Sequence, residues 1–222
     1  MRVLLGICLP WSGELDPRVE KSIDSLRGDH DLLILRDLPS DLNHGDRIWR
    51  ISRCRERFRQ YMLQHPEYDA LLFIDSDIIF PVDTLEVLKA EDGDVVNHAY
   101  FGEVSIGKRR EMPSEIDFPT IELRNGKIVV LSGLGCTLIK RKVLEKCDFV
   151  ARVDPWESLW GEDVWFFRQV HDHKFKVTLV EGKLDLVHIS KTVNKDSFWK
   201  QLKDNPDEFR RWGRYDEGRD KS

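Results

Sequence analysis

The sequence has few cysteines, no long apolar run and no excess of positive charge. Its four cysteines are scattered and none forms a CxxC pair, which argues against a disulfide framework and a zinc–thiolate site. No apolar run approaches the roughly 18–20 residues that cross a bilayer, and the N-terminal apolar segment is too short for a signal peptide. The 35 basic and 40 acidic residues give a formal charge of −5, whereas nucleic-acid-binding domains are usually basic. We therefore expect a soluble, cytoplasmic protein that binds no nucleic acid.

Apolar runs typical of buried strands alternate with segments of helical periodicity along most of the chain. The predicted strands span residues 3–9, 31–35, 70–74, 94–99, 129–131, 136–139, 175–180 and 183–189. The predicted helices span residues 17–27, 47–64, 81–90, 141–146 and 162–170. This order predicts an α/β fold with a mostly parallel central sheet and helices on both faces. Residues 100–127 are predicted to form a polar, turn-rich insertion outside the sheet, with a hairpin at Asn125-Gly126.

Two carboxylates, Asp75 and Asp77, directly follow the predicted strand over 70–74. In an open α/β sheet, ligands bind outside the carboxyl ends of the strands. Two acidic side chains brought together there repel each other unless a cation lies between them. Oxygen ligands suit Mg²⁺ or Mn²⁺, and such an ion could bridge the phosphates of a nucleotide diphosphate. A chance DxD in a chain with 40 acidic residues is the alternative.

The same segment, FIDSDII, also fits the nucleophile motif of haloacid-dehalogenase-like phosphatases. In that interpretation Asp75 is the nucleophile and Asp77 is the general acid. The family usually places the motif on its first strand, whereas two strands and a long helix precede it here. A late acidic motif of that family is also missing.

A second polar group, Trp160-Gly161-Glu162-Asp163, opens a predicted helix 85 to 88 residues after Asp75. Glu162 alone could be explained as a helix-capping acid, because the helix dipole favours carboxylates in the first turn. That explanation leaves Asp163 and Trp160 unaccounted for. His188 follows 25 residues after Asp163, at the end of an apolar run, where a structural role is the alternative.

Taken together, these motifs resemble a GT-A fold glycosyltransferase, closest to family 2. The resemblance covers roughly residues 2–190 and rests on the order and spacing of motifs that are weak individually. In the first half of the chain they are the N-terminal strand ending at Leu9 and Pro10, an acidic residue after the second strand, an arginine in the next helix, and the DxD. In the second half they are the small-residue segment 133–137, the (W)xED helix and the late histidine. It implies a GT-A catalytic domain over 1–190, with a nucleotide-binding part (1–99) and an acceptor-binding part (100–190). Residues 191–222 would form a C-terminal helical extension.

The resemblance also implies a role for each matching residue. The nucleotide contacts would be Pro10, Asp37, Arg53, Asp75 and Ser76. The metal, Mn²⁺ or else Mg²⁺, would be held by Asp77 and His188 and also by Asp75. Asp163 would be the general base, Glu162 would orient the acceptor or sugar, and Trp160 and Gly135 would lie on the acceptor side, with core packing as the alternative for Trp160.

The implied activity is transfer of a sugar, of the hexosyltransferase type, from a UDP- or GDP-linked donor to a saccharide or other hydroxyl acceptor. Asp163 favours inversion, although retaining relatives carry a similar W-G-E segment and a late histidine. A phosphohydrolase and a non-catalytic nucleotide- or glycan-binding module remain the other two hypotheses. Aromatic residues in the tail leave membrane association open but unsupported.

The sequence departs from the family pattern at two places that bear on the nucleotide. The helix carries Ser52-Arg53-Cys54 where the family often has Ala-Arg-Asn, and the second strand ends in LRDLPSD rather than a DDGS-like turn. Six arginines lie between positions 47 and 59, and for all except Arg53 we expect a solvated helix face paired with neighbouring acids.

Overall fold

A computed structural model describes residues 1–9, 13–36, 46–98, 121–122, 128–129, 133–150, 152–153, 159–160, 162–180 and 183–189. The strands are β1 (Val3–Leu9), β2 (His30–Arg36), β3 (Ala70–Ile74), β4 (Ile78–Ile79), β5 (Val95–His98), β6 (Ile121–Glu122), β7 (Ile128–Val129), β8 (Cys136–Lys140), β9 (Arg152–Val153), β10 (Leu159–Trp160), β11 (Val177–Val180) and β12 (Val187–His188). The helices are α1 (Pro17–Ser25), α2 (Asp46–Gln64), α3 (Thr84–Ala90), α4 (Arg141–Leu144) and α5 (Glu162–Asp172). The predicted extension over 191–222 lies outside the described residues.

Six strands form the central sheet, in the order β11-β5-β8-β3-β1-β2. Five of them run in the same direction, and β8 is antiparallel to both of its neighbours. The prediction of a mostly parallel sheet in an α/β fold is therefore confirmed. Because β8 enters the sheet from the opposite end, its first residue, Cys136, pairs with Ile74, the last residue of β3. The segment before β8 thus reaches the same edge as the carboxyl ends of β1 and β3.

The apolar face of α2 packs on the sheet as its periodicity predicts. Cys54, Phe58 and Met62 are at most 2% exposed. Phe58 makes an edge-on contact with Phe73 of β3, with ring centroids 5.5 Å apart. Helices α4 and α5 share this core cluster with α2. These three helices therefore cover one face of the sheet.

Two further aromatic contacts extend this core toward α5. Phe73 meets Phe149 edge-on at 5.3 Å, and Phe149 stacks on Phe166 of α5 at 4.7 Å. Residues far apart in the sequence thus join into one aromatic row between β3 and α5. This packing holds the start of α5 near the end of β3.

Helix α1 begins as its sequence predicts and contacts the segment around α3. Asp16 caps the helix by accepting from the backbone N–H of Arg18 at 2.9 Å, and Pro17 occupies the first turn. Gly28, just after α1, has a φ of +106° and lies against Leu85 of α3, so a side chain there would be strained. The backbone N–H of Arg27 donates to the carbonyl of Val82 at 2.8 Å.

Among the predicted element boundaries, the structure corrects those of α3 and of the last strand. Helix α3 begins at Thr84 rather than Pro81, because residues 81–84 form a turn in which the Thr84 hydroxyl donates to the Pro81 carbonyl at 2.7 Å. The predicted strand over 183–189 is only Val187–His188, which pairs antiparallel with β4.

The predicted hairpin agrees with the pairing of β6 and β7, while its turn residues lie outside the described part of the chain. None of the helices in the described ranges is long and apolar enough to span a membrane.

Candidate active site

The DxD segment forms a tight turn between β3 and β4 at the carboxyl edge of the sheet. The backbone N–H of Asp75 donates to the carbonyl of Gly135 at 2.9 Å, and the carbonyl of Asp75 accepts from the N–H of Ile78 at 3.1 Å. The side chains of Asp75, Ser76 and Asp77 are half-buried. The fold therefore holds the backbone of this turn on two sides and leaves both carboxylates accessible to a ligand.

Arg55 of α2 joins the DxD turn to the start of α5. Its Nη2 donates to Oδ1 of Asp75 at 2.9 Å, and its Nη1 donates to Oε1 of Glu162. The guanidinium lies over the ring of Phe73, 5.6 Å from the centroid, and the side chain is only 7% exposed. Burial alone would lower the pKa of Arg55, but the charges of Asp75 and Glu162 outweigh it, so the pKa is raised and the guanidinium stays charged.

The two acidic residues that open α5 differ in environment. The side chain of Glu162 is 8% exposed and is held by Arg55. Burial raises the pKa of the Glu162 carboxyl, and the positive charge of Arg55 opposes that rise. Asp163 is half-buried, and its Oδ1 accepts from the N–H of Val164 at 2.8 Å. Asp163 is therefore the more accessible carboxylate of the pair.

Two thiols near the turn, one buried and one half-buried, are held neutral. A hydrogen bond with Cys54, together with burial, raises the pKa of Cys8 at the end of β1. Burial raises the pKa of Cys136 to about 12, with a smaller contribution from the charge of Asp75. Because a metal ligand or nucleophile must be the thiolate, neither cysteine competes with the carboxylates for these roles.

His188 is brought to the DxD turn by strand pairing. Its backbone pairs with Ile78, the residue after Asp77, although the two positions are 110 residues apart in the sequence. The backbone of Trp160 belongs to β10, which pairs with β9. The side chains of His188 and Trp160, and all of Pro10 and Asp37, lie outside the described part of the structure.

Arg55 does not lie on the solvated helix face that the sequence predicted for it. Arg53, the predicted nucleotide contact, is exposed, whereas Arg55, expected on a solvated face, is buried against the acidic residues. The spacing of apolar residues along α2 already indicated that Arg55 is buried. Ile51, Arg55, Phe58 and Met62 follow one another at intervals of 4, 3 and 4, so Arg55 falls within the apolar stripe of the helix. A charged residue in such a stripe is expected to be buried and paired.

The donor set of the turn fits a hard divalent cation. Asp75, Asp77, Glu162 and Asp163 carry four carboxylates, and the described contacts of Arg55 bring one positive charge to two of them, Asp75 and Glu162. Arg55 donates to Oδ1 of Asp75. Carboxylate oxygens such as those of Asp75 and Asp77 are ligands of the kind that Mg²⁺ and Mn²⁺ prefer. Within the described residues, no three acidic, histidine or cysteine side chains converge on one point.

The fold is GT-A-like, the fold of glycosyltransferases, as comparison with solved structures shows. The chain is similar to the crystal structure of A197 from STIV, at 27% identity and a TM-score of 0.53, over 86% of this chain and 87% of A197. It is also similar to S. aureus TarS 1-349 in complex with UDP, at 16% identity and a TM-score of 0.51, over 91% of this chain. The chain spans 63% of that TarS fragment and 38% of a longer TarS structure. No protein-family model matches the sequence, and no curated protein sequence matches it significantly.

Proposed function

We propose that the protein is a metal-dependent glycosyltransferase that moves a sugar from a nucleotide-diphosphate donor to a hydroxyl acceptor. One observation carries the proposal: Arg55 brings the Asp75 turn and the Glu162-Asp163 pair together at the carboxyl edge of the sheet. The GT-A-like fold favours this function over the phosphohydrolase hypothesis. TarS 1-349 was crystallised with UDP, so UDP-linked sugars are the first donors to test and GDP-linked sugars the second.

Asp75 and Asp77, with His188 as a third ligand, would hold Mn²⁺ or Mg²⁺. Bound there, the ion would supply positive charge to the leaving diphosphate. Asp75 also accepts a hydrogen bond from Arg55. Asp75 and Ser76 would contact the ribose. Pro10, Asp37 and Arg53 stay proposed contacts of the nucleotide.

Asp163 is the proposed general base in an inverting displacement. The acceptor oxygen forms a bond to the anomeric carbon while the bond from that carbon to the phosphate oxygen breaks. The acceptor proton passes to the Asp163 carboxylate, and the nucleotide diphosphate leaves with the electron pair. Accessibility supports this role for Asp163, since Glu162 is buried and engaged by Arg55. Trp160 would offer an aromatic face for a sugar ring. Gly135 would lie beside Asp75 on the acceptor side.

The experiment is a panel of UDP-, GDP- and dTDP-sugars, assayed for binding and sugar release with Mn²⁺, Mg²⁺ or EDTA. The proposal predicts metal-dependent binding of one nucleotide and slow release of its sugar. Tight binding without any turnover would support the non-catalytic module instead. Phosphate release from p-nitrophenyl phosphate, without binding of any nucleotide sugar, would support the phosphohydrolase and make Asp75 the nucleophile.

A further inference from the structure

We propose that Arg55 is a positioning residue that fixes the base Asp163 relative to the donor-side Asp75. The inference rests on the proposed function. Arg55 is the point where helix α2, the turn after β3 and the start of α5 meet through side chains. Its two terminal nitrogens are divided between the two sides of the site. Asp75 belongs to the donor side and Glu162 directly precedes the base.

The guanidinium geometry suits this role better than any other side chain could. It is planar and rigid, and its N–H donors point in fixed directions, so one arginine can bind two carboxylates at a set separation. A lysine offers one compact charge on a flexible stem and cannot hold both partners in the same way. Stacking of Arg55 on Phe73 further restricts the plane of the guanidinium.

Glu162 transmits the position of Arg55 to the base. It is the first residue of α5 and its side chain is buried, so the contact with Arg55 fixes the backbone of the first helical turn. Asp163 is the next residue, and its carboxylate is oriented by the N–H of Val164 in the same turn. A displacement of about 1 Å at a reacting group can lower a rate by about 100-fold. A small displacement of Arg55 should therefore shift Asp163 through α5 and lower the reaction rate.

A role confined to folding does not account for a charge at this position. The aromatic row from Phe58 through Phe73 and Phe149 to Phe166 already packs α2, β3 and α5 together. Buried ion pairs are often no more stabilising than apolar side chains of similar volume. An apolar residue at position 55 would simply continue the apolar stripe of α2. The arginine is therefore better explained by the two carboxylates that it orients, those of Asp75 and Glu162.

The test compares Arg55→Lys with a matched control, Arg59→Lys, in the full chain. Arg59 lies one turn further along α2 and is half-buried, and its Nε donates to the carbonyl of Leu144, away from the site. Donor hydrolysis gives kcat and KM, and titration calorimetry gives the affinity for the nucleotide diphosphate. We expect Arg55→Lys to lower kcat by about 100-fold while KM and nucleotide affinity change less than about fivefold. Arg59→Lys should keep kcat within about twofold of the unmodified protein.

Chemical rescue gives a second readout that a purely structural defect would not show. In Arg55→Ala, millimolar guanidinium should restore part of kcat, whereas ammonium at the same concentration should not. A value of kcat for Arg55→Lys within about threefold of the unmodified protein would overturn the proposal. So would a parallel loss of kcat and nucleotide affinity, because Arg55 would then act in donor binding.

Hydrogen exchange separates failure of this inference from failure of the proposed function. If the unmodified protein turns over no nucleotide sugar, the proposed function fails, but the position of α5 can still be measured. Arg55→Lys should then speed amide exchange by about tenfold at residues 166–169, whose N–H groups bond to the carbonyls of the first turn of α5, and Arg59→Lys should not. Equal exchange in all three proteins would contradict the positioning role whatever the protein's activity.

Discussion

At the scale of single residues, two neighbouring acidic groups of the candidate site differ in burial. Glu162 and Asp163 are adjacent in sequence, yet Glu162 is enclosed beside Arg55 and Asp163 is half-exposed. Pairs of carboxylates in unequal environments commonly take different roles in catalysis. In the proposed mechanism the enclosed carboxylate would position the start of α5 and the accessible one would accept the proton.

We expect Asp163→Asn to lower transfer or donor hydrolysis by about 10²- to 10⁴-fold, because the amide cannot accept the acceptor proton. Nucleotide affinity should stay unchanged, since the DxD turn is intact. Steady-state kinetics and calorimetry measure the two quantities. Asp172→Asn is the matched control at the exposed, opposite end of α5 and should keep full activity. Full activity of Asp163→Asn would exclude Asp163 as the base.

Residue identity was easier to predict than residue environment. The motifs marked Asp75, Glu162 and Asp163, which the structure brings to one edge through Arg55. Six arginines in thirteen positions offered several candidates, and a comparison with the family pattern selected Arg53. The buried arginine is Arg55, which depends on how α2 is rotated against the sheet. That rotation follows from the apolar stripe, and the stripe includes Arg55.

At the scale of elements, the sequence predicted helix ends well where capping residues or prolines mark them. Asp16 and Pro17 predicted the start of α1, and Pro66 predicted the end of α2 at Gln64. The direction of β8 could not be predicted this way, because an apolar run has the same appearance in parallel and antiparallel strands. The pairing of β12 with β4 joins two strands of only two residues each, too short to give a periodic signal.

The cap of α1 should make part of the stability depend on pH. Hydrogen bonds from the side chain and backbone of Arg18 lower the pKa of Asp16 to about 2, from an ordinary value of 3.8. A carboxyl whose pKa is lowered in the folded state stabilises it above about pH 4, and this contribution disappears as the pH falls toward 2. Asp16→Asn keeps the capping oxygen without the charge.

We therefore expect the unmodified protein to exceed Asp16→Asn in free energy of unfolding at pH 6. The difference should shrink toward zero near pH 2. Urea unfolding of both proteins across this range measures it. A difference that stays constant with pH would show that the carboxylate charge contributes nothing.

The packing of α2 on β1 should tolerate no added side chain at Gly6. A Cβ there would lie 3.0 Å from Cδ1 of Phe58 and 3.1 Å from Cδ1 of Leu71. We expect Gly6→Ala to lower the free energy of unfolding by about 1–3 kcal/mol, measured by urea denaturation. Phe58→Leu should reduce that cost in the double variant by making room. An unchanged stability of Gly6→Ala would mean that α2 does not pack this closely.

At the scale of the whole molecule, the site is assembled from segments that no local pattern links. Gly135 comes to the DxD turn because β8 is inserted between β3 and β5, and His188 comes there because β12 pairs with β4. The sequence predicted the mostly parallel sheet and the edge at which a ligand site is expected, since both follow from the order of strands and helices. It could not predict which distant segments close that edge, because this depends on tertiary pairing.

The central claim is that this assembled edge binds a nucleotide diphosphate through a divalent cation. Its most direct test is titration calorimetry of UDP, and then GDP, into the protein with Mn²⁺ and with EDTA. Asp77→Asn removes a proposed ligand. Asp69→Asn, at the opposite end of β3 with a side chain 60% exposed, is the control.

We expect EDTA to weaken binding of one of the two nucleotides by at least about tenfold. Asp77→Asn should do the same in the presence of Mn²⁺, and Asp69→Asn should not. Equal affinity in Mn²⁺ and EDTA, or binding of neither nucleotide, would contradict the central claim.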